Sequence, residues 1–87
     1  MDLQLKHKLF LICGASSGFG RAIAESLLQE GAHVFAVARR EEKLKALQQE
    51  FPEQVEIFVG DLTKDAVISE LEKRLEKKQL HGMLLNA

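Results

Sequence analysis

A parallel α/β fold of four strands and three helices is predicted for this 87-residue chain, and two features predict it. Apolar runs of strand length alternate with amphipathic stretches of helical spacing, a pattern that a parallel sheet with crossover helices satisfies. The first run also ends in a turn that carries Gly14, Gly18 and Gly20, and a helical pattern opens directly behind it. Right-handed crossovers leave few arrangements for such a chain, and the expected strand order is 3-2-1-4.

Each element has its own local reason. Leu9 to Cys13 is a short continuous apolar run, as a buried parallel strand requires. Arg21 to Glu30 places Ile23, Ala24, Leu27 and Leu28 at helical spacing, and Gly31 suits the C′ position that stops a helix. His33 to Ala38 is the second strand. Glu41 and Glu42 put negative charge in the first turn of a second helix, whose Leu44, Leu47 and Phe51 share a face before Pro52. Val55 to Val59 is the third strand. Thr63 is the expected cap of a third helix, with Val67 or Ile68, Leu71 and Leu75 apolar and Glu72, Lys73, Glu76 and Lys77 solvated. Met83 to Leu85 is the fourth strand, short and apolar.

Composition narrows the function classes. Apolar residues make up 46% and charged residues 29%, which argues against a disordered chain and a membrane protein. The net charge of −1 leaves no basic face for nucleic-acid phosphates. Leu9 to Cys13 is too short for a membrane span or a signal segment, so a cytoplasmic location is expected. The single cysteine, Cys13, cannot form an internal disulfide and reads as a small buried apolar group.

The glycine turn carries most of the chemistry. Glycines between a strand and a helix leave backbone amides bare, and the helix start adds unpaired N–H groups and the positive end of its dipole. That combination binds a pyrophosphate without a cationic side chain, so the expected ligand is a dinucleotide. Gly14, Ser16, Ser17, Gly18, Phe19 and Gly20 are the candidate contacts. In such folds an acidic residue at the end of strand two takes the ribose hydroxyls, but this position is Ala38. Arg39 and Arg40 follow, and the planar fork of Arg39 can pair with a 2′-phosphate, so NADP is expected over NAD. Ligands bind outside the carboxyl ends of the strands where the strand order reverses. Asp61 and Leu62 then fall near the adenine, and Asn86 and Ala87 near the nicotinamide.

Other readings weigh less. Gly14-Ala15-Ser16-Ser17-Gly18 matches the nucleophile elbow of hydrolases, with Asp61 and His81 following in order. That elbow needs an earlier strand-to-helix loop as oxyanion donor, and only thirteen residues precede Gly14. His7, His33 and His81 show no metal-ligand spacing and read as surface or strand-end residues. A methyltransferase-type domain wants an acidic residue where Ala38 stands. A nucleotide-binding or structural fragment without catalysis is the alternative reading.

The turn Gly14-Ala15-Ser16-Ser17-Gly18-Phe19-Gly20 resembles that of the short-chain dehydrogenase/reductase family, Gly-x-x-x-Gly-x-Gly. Asp61-Leu62 after strand three and Leu85-Asn86-Ala87 after strand four resemble later family segments, the second being Asn-Asn-Ala-Gly. Cys13 stands where the family usually has Thr, and Leu85 where it usually has the first Asn. The resemblance covers essentially the whole chain. It implies a doubly wound Rossmann sheet, hydride exchange with a nicotinamide dinucleotide, and a small carbonyl or alcohol as substrate. The family's catalytic Ser, Tyr and Lys lie beyond the Asn-Ala-Gly segment, and this chain has no Tyr, so no catalytic residue is assigned. Residues 1–87 are therefore expected to be the N-terminal portion of one dinucleotide-binding domain, cut after strand four and inactive alone. A homo-oligomeric parent is compatible with the resemblance.

Overall fold

The computed structural model describes residues 5–15 and 18–85. In chain order the elements are β1 (Leu9–Cys13), α1 (Gly18–Gln29), β2 (His33–Ala38), α2 (Glu41–Glu50), β3 (Val55–Val59), α3 (Asp65–Leu75) and β4 (Leu80–Leu85). All strand pairs are parallel, in the order β3-β2-β1-β4. The fold class and strand order expected from the sequence are those observed.

Alternation along the strands splits the core into two layers. Ile12, Val34, Ala36 and Val55 face α1 and α2 and meet Ala24, Leu28, Leu44 and Leu47. Leu11, Cys13, Phe35, Val37 and Phe58 face the other way and meet Leu71 of α3. Phe35, Ile12, Leu28, Leu44 and Leu47 are almost wholly buried, and each contributes about 1.5–3 kcal/mol by leaving water. Val67, Leu71 and Leu75 form the packed stripe of α3, whereas Ile68 points to solvent.

Three element boundaries differ from the expected ones. Helix α1 begins at Gly18 rather than Arg21, because the glycine segment itself enters the helix. Its end is as expected: Gly31 has φ 90°, its N–H donates to Leu28 O at 3.0 Å, and Ala32 N–H donates to Leu27 O at 3.0 Å. Strand β4 begins at Leu80 rather than Met83, since it pairs along all of β1. The pairing shifts register between Leu9 and Phe10, and His81 and Gly82 interrupt the apolar run by which the strand would be read in the sequence. Gly82 makes room there, because a Cβ on it would stand 2.9 Å from Phe10 Cδ2. Beyond the shift, Met83 and Leu85 lie on the α3 side of the sheet and are 61% and 71% exposed. The third difference is the cap of α3. Lys64, not Thr63, occupies the N-cap, without a side-chain capping bond.

Candidate functional site

The strands all point their carboxyl ends at one edge of the sheet, and the chain leaves each strand there. After β1 the turn bends over the end of β2: Gly14 N–H and Ala15 N–H both donate to Val37 O, at 2.7 and 3.3 Å. Gly14 and Gly18 have φ of 82° and 58°, left-handed values that glycine adopts without strain. Gly20 is buried, while Phe19 beside it is 65% exposed at the mouth of the turn. The first N–H groups of α1 have no partner within the helix, and no acidic side chain occupies its first turn. Ser16, Ser17, Asn86 and Ala87 lie outside the described residues.

Strand β2 ends in the buried Ala38, and its carbonyl accepts a bond from Gly60 N–H at 3.0 Å, which ties the exits of β2 and β3 together. Arg39 is exposed beyond this end, and Arg40 forms the N-cap of α2. Among the described residues neither arginine is in a salt bridge with Glu41 or Glu42; Glu41 pairs instead with Lys45 at 3.4 Å.

Asp61 follows the exit of β3. Its Oδ1 accepts from Thr63 N–H at 3.0 Å and from Thr63 Oγ1 at 2.7 Å. These two bonds hold its carboxyl below the usual carboxylate range, and the positive charges of Arg39 and Lys64 act in the same direction. Leu62 turns inward against the α3 layer. The structure thus gathers Gly14, Gly18, Phe19, Gly20, Arg39, Arg40 and Asp61 at one edge. Thr63 was missed as part of this group because a threonine just before a helical pattern reads as a cap. The aspartate two residues earlier is the signal that could have found it.

The histidines sit elsewhere. His33 starts β2, His7 stacks near it with ring centroids 5.8 Å apart, and His81 packs edge-on against Phe10. A groove of about 330 Å³ at this amino edge is lined by His7, His33, Glu53, Glu56 and Lys78 and shares no residue with the glycine turn. His81 and Asp61 lie at opposite ends of the sheet, roughly 15 Å apart along the strand direction, so they cannot complete a hydrolase triad. Among the described residues, no three or more His, Cys, Asp or Glu side chains are placed to hold a metal ion, and no helix is long and apolar enough to cross a membrane. Cys13 is buried at the end of β1, and burial pushes its thiol up from the ordinary value, away from the reactive thiolate.

Comparison with known proteins agrees with this geometry. The NADPH-dependent 3-dehydrocapnine reductase of Ornithobacterium rhinotracheale is 33% identical over 81 residues, which cover 88% of this chain and 29% of that protein. A short-chain dehydrogenase from Streptomyces avermitilis superposes with a TM-score of 0.85 at 35% identity, covering 93% of this chain and 30% of that one. The L-sorbose reductase of Gluconobacter frateurii, solved in complex with NADPH and L-sorbose, superposes with a TM-score of 0.84 at 29% identity; all of this chain is covered and 35% of that one. The chain therefore spans about a third of the length of these proteins. The family model described as "short chain dehydrogenase" matches residues 8–87. On that match, together with the glycine turn and the β3-β2-β1-β4 sheet, the chain belongs to the short-chain dehydrogenase family.

Proposed function

We propose that this chain is the dinucleotide-binding segment of an NADP-dependent oxidoreductase that exchanges hydride with a small carbonyl or alcohol compound. The observation that carries the choice of NADP is the end of β2, where Ala38 is buried and Arg39 is exposed at the same edge as the glycine turn. A ribose 2′-hydroxyl would find no carboxylate at position 38, whereas a 2′-phosphate would find a guanidinium. Support also comes from relatives, one described as NADPH-dependent and one solved with NADPH.

In this reading Gly14, Ser16, Ser17, Gly18, Phe19 and Gly20 hold the pyrophosphate and its flanks. Arg39 and Arg40 face the 2′-phosphate, Asp61 faces the adenine with the backbone of Leu62 beside it and the Leu62 side chain turned into the α3 layer, and Asn86 and Ala87 face the nicotinamide side. Asp61, as a carboxylate, accepts from the 6-amino group of adenine. The bound nicotinamide supplies the hydride chemistry. This chain's residues bind and orient the dinucleotide, and the proton exchanged with substrate oxygen needs a group that the chain, having no Tyr, lacks in the family's form.

Calorimetric titration of the chain with NADPH and NADH tests the reading. NADPH should bind more tightly by about 1–3 kcal/mol, and Arg39→Ala should erase the difference. Equal affinities in the unaltered chain would refute the assignment to NADP, and no binding of either would favour a structural fragment.

A further inference from the structure

We propose that His7 and His33 share one divalent transition-metal ion of the zinc class, which ties the segment before β1 to the start of β2. Their ring centroids are 5.8 Å apart and the ring planes cross at 39°. With metal–nitrogen bonds of about 2.0–2.1 Å, two imidazoles on one ion have centroids roughly 5–6 Å apart. Both backbones are held before any ion arrives. His7 N–H donates to Gly31 O at 2.9 Å and His33 N–H to Lys8 O at 2.8 Å, while His33 also pairs with Leu9 across the sheet. His7 is the only non-glycine among the described residues with a left-handed φ, at 67°. Glycine would meet that demand without strain, and strain of this kind collects where a side chain has a task.

The groove of about 330 Å³ beside the two rings has room for the waters that complete the ion's shell. Two charged groups on it are already engaged, since Lys78 pairs with Glu56 at 2.9 Å. Glu53 lines the same groove, is in no salt bridge among the described residues, and adds negative charge near a cation. Two protein ligands bind more weakly than a closed four-ligand site, so the ion exchanges. Imidazole favours zinc, copper and nickel, whereas magnesium prefers oxygen. His81 lines the neighbouring groove with His7 but packs edge-on against Phe10, which leaves it outside the pair. The ion would act on stability at the edge of the sheet opposite the glycine turn.

The test titrates the 87-residue chain with zinc chloride by calorimetry, with magnesium chloride as the comparison ion. One zinc ion should bind per chain, and excess magnesium should not displace it. His7→Asn, which suits the left-handed region, and His33→Gln should each weaken zinc about tenfold or more. The double variant should lose little beyond either single change, because one imidazole alone holds the ion poorly. His81→Gln should bind as the unaltered chain does. Zinc should raise the thermal midpoint only where both His7 and His33 are present. Proton NMR of the unaltered chain should show the His7 and His33 ring signals moving with zinc while those of His81 stay, a reading that depends on no variant folding. Absence of saturable zinc binding, full affinity in His7→Asn or His33→Gln, or an equal loss in His81→Gln overturns the proposal and leaves the two rings as an aromatic contact only.

Discussion

Gly60 and Val67 are in contact so close that no side chain fits between them: a Cβ on Gly60 would stand 2.6 Å from Val67 Cγ1. Gly60 is the exit residue of β3, and its N–H is held by Ala38 O at 3.0 Å. Val67 is on the packed stripe of α3. The contact sets how closely α3 approaches the end of β3, and so where the Asp61 segment between them runs.

Gly60→Ala should therefore destabilise the chain by about 1–3 kcal/mol, because Val67 has little rotamer freedom in a helix and Phe58 Cε1 is also only 3.1 Å from the added carbon. The double variant Gly60→Ala/Val67→Ala should show less than the sum of the two single losses in urea unfolding. Additive losses would mean that the two residues do not share this space.

A second constraint lies at the other end of β3. Gln54 Nε2 donates to Leu28 O at 3.0 Å and to Ala32 O at 2.7 Å, bridging the end of α1 and the start of β2. Gln54→Ala should cost about 1–3 kcal/mol by leaving two partly buried carbonyls without this donor. Gln54→Glu should cost more at neutral pH, since an ionised carboxylate would face two carbonyl oxygens. On acidification it should recover part of the loss, because a protonated acid can again donate to one of them. Thermal unfolding of both variants at pH 7 and pH 4 checks the order; a glutamate variant as stable as the original at pH 7 would contradict it.

Which features were legible in the sequence follows from how local their causes are. The strand order, Gly31 as a helix stop and the placement of Arg39 beyond β2 depend on alternation, backbone freedom and chain order, all visible in neighbouring residues. The early start of β4 was not, because His81 and Gly82 interrupt the apolar run that marks the strand at Met83 to Leu85. Thr63 was assigned to the wrong partner, since a cap and a tether to Asp61 draw on the same hydroxyl and only three-dimensional geometry decides between them. Gln54 and Gly60 gave no signal, as their partners lie 26, 22 and 7 residues away in the chain and no short motif records such contacts.

Acid should loosen the α3 layer first. Glu56 on β3 accepts from Lys78 Nζ at 2.9 Å and from Arg74 at 3.3 Å, and the same two cations lie over the Phe35 ring at 5.4 and 5.9 Å. The Lys78 hydrogen bond is the main cause that holds the Glu56 carboxyl below its ordinary value of 4.5, with Arg74 adding to it. A carboxylate with a depressed folded-state pKa stabilises the fold fully above its unfolded value and loses that contribution as pH falls through the folded one. Stability should therefore drop on acidification below about pH 4.5 in part through this residue. Glu56→Gln should lower stability at pH 7 by about 0.5–1 kcal/mol, a modest figure because the side chain is 45% exposed. The gap between the variant and the original should close as the pH falls, and high salt should narrow it at pH 7. Chemical unfolding across the pH range measures both trends, and a gap that persists unchanged at pH 3 would show that Glu56 acts through packing and not through its charge.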